Sequence, residues 1–331
     1  MLQGLPFVAA WRGERIESIH AVAACAITVD GEILLGFGDI DEPVYLRSAA
    51  KPFIAAAAVR AGAADRFGLD DRDLAIMSAS HSGEPDHVAA VLALLEKIGA
   101  RPEDLQCGVH APAYEPAALA LSQAPTVLHN NCSGKHAGIL ALCRVLDVPF
   151  AGYLDVDHPA QQAILALCAR VSDDPFSPER LGVDGCGIPV YATSLRNAAR
   201  AYARFATLQD LEPGDAEALA RVRAAMIAEP FFVGGTDRFD TDLMRAGNGR
   251  IACKAGAEGV HASALLDAGA GLVLKVVDGA RRAVAPAAVV LLARLRALDN
   301  MQVSALAAHA SVAVTNAAGM QVGTIAALIG N

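Results

Sequence analysis

The chain has 331 residues, of which 54% are hydrophobic and only 5% aromatic, with 19% charged and a formal net charge of -9. That apolar content excludes a disordered polar chain. An acidic balance with no long Lys/Arg cluster argues against a nucleic-acid partner, which wants a basic face.

The length suffices for one large domain or two small ones. No linker-like Gly/Ser/Pro run divides the chain, so a single domain over residues 1–331 is expected. The apolar excess is mostly alanine, which suits closely packed helices. The start, Met1-Leu2-Gln3-Gly4-Leu5-Pro6, lacks the basic beginning and long apolar run of a signal peptide. The most apolar later stretch, Ala283–Ala293, is too short for a bilayer and contains Pro286. The expectation is a cytoplasmic protein with no membrane partner. Seven cysteines, at 25, 107, 132, 143, 168, 186 and 253, are odd in number and scattered, with no C-x-x-C. They read as reduced thiols rather than a disulfide framework.

In chain order, Cys25–Val29 and Glu32–Leu35 flank Asp30-Gly31, which predicts a hairpin. An apolar helical stretch follows Ser48, from Pro52 to about Ala61, with Pro52 early enough to sit in a first turn. Glu84-Pro85 opens a helix through Val88, Leu92, Leu94 and Ile98. Further helices are predicted over Ser133–Val145, Ala160–Arg170, Leu195–Ala206, Ala216–Ala228 and Pro286–Leu298. Strand signals return at Ile251–Cys253 and Gly271–Val277, and more weakly at Val312–Val314 and Met320–Gly323. Strands at both ends around a helical middle predict an antiparallel sheet (about 20–40 and 250–325) and a helical lobe (about 84–247), an α+β arrangement.

Ser48-Ala49-Ala50-Lys51 is an S-x-x-K pattern at a helix start. One helical turn lets the amine reach the hydroxyl. An alcohol needs a neighbouring base at neutral pH, and a partly buried lysine can be that base. S-x-x-K marks penicillin-recognising serine enzymes. Downstream, Ser80-His81-Ser82-Gly83-Glu84 places serines just before a helix. Ser82 reads as a helix cap, with a second active-site serine as the functional alternative. Lys254-Ala255-Gly256 follows a short apolar run and resembles a K-T-G element, its glycine leaving room for a substrate. His129-Asn130-Asn131-Cys132-Ser133-Gly134-Lys135-His136 and Asp184-Gly185-Cys186-Gly187 complete the unusual strings. Cys132 and Cys186 could share a metal, although single cysteines are usually small buried hydrophobes.

Five blocks in order over residues 47–259 resemble the L-asparaginase II family, typified by the rhizobial thermolabile-type enzyme. They are Arg47–Pro52, Ser80–Pro85, Asn131–Gly138, Asp184–Pro189 and Lys254–Gly259. The resemblance implies a serine β-lactamase or penicillin-binding-protein-like fold and an L-asparagine amidohydrolase. It implies Ser48 as nucleophile with Lys51 as its base, and Ser80 with Lys254 as a second serine–lysine pair. It implies a zinc ion held by Cys132, Lys135 and Cys186, structural or substrate-positioning rather than the primary catalyst, and a homodimer. Charge complementarity suggests Asp184 for the substrate α-ammonium, with Glu258 as competitor, and Arg47 or His136 for the α-carboxylate. The alternatives are glutamine or a β-lactam as substrate on the same scaffold, or a non-catalytic zinc-stabilised binding protein.

Overall fold

The structure, a computed structural model, describes residues 6–328. Met1–Leu5, most of the stretch read for a targeting signal, lies outside the described residues. The chain forms two compact units. One is drawn from Met1–Ala49, Thr193–Thr207 and Asp242–Asn331, the other from Ala50–Ala192 and Leu208–Thr241.

The first unit is built on an eight-stranded sheet. Its path runs Ser311–Thr315, Gln321–Leu328, Phe7–Arg12, Arg15–Thr28, Ala270–Val276, Val260–Leu265, Ile251–Gly256, and Ile33–Phe37 pairs off this path with Arg15–Thr28. Every neighbouring pair is antiparallel. The sheet expected from both ends of the chain is present. Its hairpin turns at Asp30-Gly31, where Gly31 has φ 93° and the Thr28 N–H donates to Glu32 O at 2.9 Å.

The strand leading into that turn is longer than expected, 14 residues from Arg15. Two strands, Phe7–Arg12 and Val260–Leu265, give no sequence signal. Val260–Leu265 is buried at every position. It alternates as V-H-A-S-A-L, but its alanines, serine and histidine carry little of the β-branched and aromatic content that marks a strand.

The helix Leu195–Thr207 packs on this sheet. A Cβ on Gly271 would stand 2.0 Å from Ala199 O, so backbone lies directly against backbone. Ala198, Ala199, Ala201 and Ala203 are buried on this helix. The alanine bias therefore serves close approach rather than core volume.

The second unit is mainly helical. Its helix Lys51–Arg60 is buried from Lys51 through Val59 and packs against Pro213–Ala228, Ser133–Leu146 and Pro159–Ser172. Arg60 Nε and Arg170 Nε donate to the buried Asp215 carboxylate at 3.1 and 2.7 Å. The helical lobe thus begins at Ala50, ahead of the expected 84. It leaves out Thr193–Thr207, whose helix belongs with the sheet. A short hairpin, Leu181–Val183 with Pro189–Ser194, pairs Leu181 with Tyr191 and carries Cys186 in its turn.

Among the described residues no helix is long and apolar enough to cross a membrane. All seven cysteines are buried free thiols.

Candidate active site

In the first unit Ser48 stands in a single 3-10 turn, Arg47–Ala50, and is half-buried. Arg47 has φ 52°, a left-handed conformation that costs a residue with a Cβ about 1–2 kcal/mol. Such strain gathers where a side chain must be aimed. The Ala49 N–H donates to Leu46 O at 3.0 Å, and the buried Tyr202 hydroxyl donates to Ala49 O at 2.7 Å.

Gly256 has a different role from the one its motif suggests. A Cβ there would stand 2.5 Å from Leu46 O. What lies against this glycine is the chain's own carbonyl, just before Ser48, and this brings the Lys254 strand beside the Ser48 turn. Lys254 is fully buried, and its Nζ donates to Ala255 O at 2.9 Å. Glu258 lies exposed in the turn after that strand, with φ 56°, and its carbonyl accepts from Lys275 Nζ at 2.6 Å.

In the second unit Lys51 opens its helix and is 1% exposed. Its Nζ donates to Ala79 O at 2.6 Å and to Ser80 Oγ at 2.8 Å. The amine assigned to Ser48 in sequence therefore also holds Ser80. The Ser80 N–H donates to Val233 O at 3.0 Å.

Ser82 does not cap the following helix. Its hydroxyl donates to Gly234 O at 3.1 Å, while the N-terminal residue of that helix is Glu84, whose N–H donates to His87 Nδ1 at 3.2 Å. The Glu84 carboxylate accepts from Thr236 N and Oγ1 at 2.8 and 2.6 Å. Residues 233–236 thus anchor the serine loop, a role with no local signal in the sequence.

His81 is fixed between two partners. Ser133 Oγ donates to Leu128 O at 2.9 Å, so His81 Nε2–H donates to Ser133 Oγ at 2.9 Å. Its Nδ1 accepts from the Gly83 N–H at 3.2 Å. Burial, aided by neighbouring positive groups, holds this imidazole well below its ordinary pKa.

Cys132, Lys135 and Cys186 come together. Lys135 Nζ donates to Cys186 Sγ at 2.7 Å, and Cys132 Sγ donates to Asn131 Oδ1 at 3.0 Å. Interaction with Cys186 lowers the Cys132 thiol well below its ordinary range, against burial and with help from the Lys135 and Lys51 ammonium groups. The same interaction and its own burial push Cys186 up. Burial pulls Lys135 down, but the two sulfurs and Asp184 more than offset it, and its pKa is raised.

Lys51 and the thiol pair thus belong to one polar cluster. Asn130 shapes it: its Oδ1 accepts from the Cys132 N–H at 2.8 Å and its Nδ2 donates to Cys107 O at 2.8 Å. Asp184 Oδ1 accepts from the Gly185 N–H at 2.9 Å, and Oδ2 accepts from Cys186 Sγ at 3.7 Å. The glycines of the 131–138 string serve packing. A Cβ on Gly134 would lie 2.2 Å from Ile76 O, and one on Gly138 3.0 Å from the Met77 side chain.

His136 is fully buried. Burial, with Lys135 and Lys51 adding repulsion, holds its pKa well below the ordinary value. Its Nδ1 lies 2.7 Å from Tyr153 Oη. Tyr153 went unnoticed in the sequence, where a lone tyrosine in a loop carries no signal. Burial raises its phenol pKa, so it remains a hydroxyl.

The sequence pattern of the L-asparaginase II family matches residues 8–327. The chain belongs to the L-asparaginase II family. Membership supports an amidohydrolase of the asparaginase type acting on a small-molecule substrate. No match was found among curated protein sequences. Among solved structures the chain is similar to a protein described as a beta-lactamase from Bacteroides dorei. The identity is 15% and the TM-score 0.37, over 77% of this chain and 84% of that one.

The donor chemistry in this L-asparaginase II chain fits a zinc ion. Two sulfurs and an amine converge, and thiolates suit zinc. Among the described residues no cluster of three or more His, Cys, Asp or Glu could hold a metal. A metal here would therefore need Lys135 as a ligand.

Proposed function

We propose that this protein is an L-asparagine amidohydrolase that releases L-aspartate and ammonia by serine–lysine nucleophilic catalysis. The observation that carries the reading is the buried Lys51 amine 2.8 Å from Ser80 Oγ, in a chain of the L-asparaginase II family. A buried amine hydrogen-bonded to a hydroxyl is suited to exchange protons.

In this reading Ser48 is the nucleophile. Lys51, one helical turn along the chain, takes its proton as Ser48 Oγ bonds to the side-chain amide carbon. Backbone N–H groups of the Arg47–Ala50 turn, including that of Ser48, stabilise the oxyanion. Ser80 and Lys254 form the second serine–lysine pair, which returns a proton to the departing ammonia. Water then cleaves the acyl-enzyme to aspartate and restores Ser48. Asp184 binds the α-ammonium, and Arg47 or His136 serves the α-carboxylate.

Cys132, Lys135 and Cys186 would hold zinc, which would fix this corner of the site and supply positive charge for orienting substrate. The resemblance alone adds the expectation of a homodimer. Ammonia release from asparagine and glutamine, measured side by side, tests the reading. Faster turnover of asparagine is expected, and no release from asparagine would overturn it.

A further inference from the structure

His136 and Tyr153 form a hydrogen-bond chain whose direction can be worked out from its first donor. The Gln106 N–H can only donate, and it points at Tyr153 Oη at 2.8 Å. The same oxygen lies 2.7 Å from His136 Nδ1. Tyr153 and His136 are both 0% exposed, so solvent supplies no other partner. The tyrosine is itself held, since Gln161 Nε2 donates to its carbonyl at 2.8 Å.

A phenol has one proton to give. If it goes to His136 Nδ1, that nitrogen is an acceptor and the ring proton sits on Nε2. If Nδ1 carries the proton instead, the tyrosine proton has no acceptor and Nε2 becomes a buried lone pair without a donor. The first arrangement leaves one group unsatisfied and the second leaves two. The group left over in the first is the His136 Nε2 atom, which is buried and has no hydrogen-bond partner among the described residues. An orphaned buried donor is costly unless a ligand satisfies it.

We propose that Tyr153 is a positioning residue that locks His136 in the Nε2–H tautomer, so that the ring presents a hydrogen-bond donor to an oxygen of the substrate carboxylate. This deepens the proposed function and rests on it for the identity of the ligand. His136 is then the group that meets substrate, and Tyr153 acts through it.

The test combines a tautomer measurement with a mutant cycle. In protein labelled with 15N-histidine, long-range proton–nitrogen correlation spectra identify the protonated nitrogen of His136, assigned by the signals lost in His136→Gln. Nε2–H is expected in the wild type and a mixture in Tyr153→Phe. For asparagine, Tyr153→Phe is expected to raise KM about tenfold and to change kcat less than about threefold, the scale of one misdirected hydrogen bond. In the His136→Gln background the side-chain amide needs no tautomer partner, and adding Tyr153→Phe is expected to change KM by less than about twofold.

A wild-type ring protonated on Nδ1 would overturn the proposal. So would an equal KM penalty in both backgrounds, which would make Tyr153 a packing residue. If the wild type released no ammonia from asparagine, the functional reading would fall, while the tautomer spectrum, which needs no substrate, would still decide the role of Tyr153.

Discussion

Lys51 Nζ donates to Ser80 Oγ at 2.8 Å across 29 positions of sequence, and the lysine is 1% exposed. The Ala79 carbonyl takes a second hydrogen bond from the same amine. The lysine of the S-x-x-K pattern thus meets a second serine, one that only folding brings to it.

Ser80→Ala removes the hydroxyl that Lys51 contacts. Ammonia release from asparagine is expected to fall by about 10²–10⁴-fold, the usual worth of a positioned proton carrier. The Ser80 backbone bond to Val233 O survives the change, so the loop should stay in place. Steady-state kinetics with a circular-dichroism melt check this. Activity within a few-fold of wild type would remove Ser80 from the mechanism.

Ser48→Ala is expected to abolish turnover and leave the fold intact. Ser48 is half-buried, in a turn held by backbone bonds and by Tyr202. Stability should therefore change by less than about 1 kcal/mol. Wild-type-like ammonia release by this variant would sink the serine mechanism.

Cys186→Ala removes one sulfur from the proposed zinc site and leaves Lys135 without its 2.7 Å partner. Metal analysis after dialysis is expected to find zinc in the wild type and little in the variant. Retention of one tightly held zinc per chain would show that Cys186 is not a ligand.

Gly134→Ala tests the packing account of the 131–138 string. Its Cβ would stand 2.2 Å from a backbone carbonyl, which cannot swing aside like a flexible side chain. A loss of about 1–3 kcal/mol or more is expected in urea unfolding. An unchanged midpoint would contradict the close approach of this helix to Ile76.

Stability should fall as pH drops through the ordinary histidine range. His81 and His87 have folded pKa values below the ordinary one, chiefly through burial. The unfolded chain therefore binds protons that the folded chain excludes. Their contribution is fully present above the unfolded pKa of about 6.5 and is lost below it, by up to about 1.4 kcal/mol per pH unit for each histidine kept neutral. Urea unfolding at stepped pH reads the slope, and His81→Gln is expected to make it shallower. An equal slope in that variant would place the titration elsewhere.

The sequence by itself determined the local features. The S-x-x-K pattern lies at a helix start, and Asp30-Gly31 demands a hairpin, because both depend on residues adjacent in the chain. The five ordered blocks were enough to mark the family. Only the tertiary structure decided what each block touches. Lys51 meets Ser80, and Lys135 meets Cys186, through folding that brings separate helices and a hairpin together. Ser82 binds Gly234 rather than capping a helix, because residues 233–236 pass beside it. Gly256 admits the Leu46 carbonyl, where its motif alone suggested room for a substrate, and Gly134 admits Ile76. Val260–Leu265 was hidden because its alternating residues are mostly small ones with little strand propensity. Tyr153 was hidden because its partners are a backbone N–H and a histidine brought to it from other parts of the chain. Local pattern fixes turns and reactive pairs, whereas burial and long-range hydrogen bonds are properties of neighbours that only folding supplies.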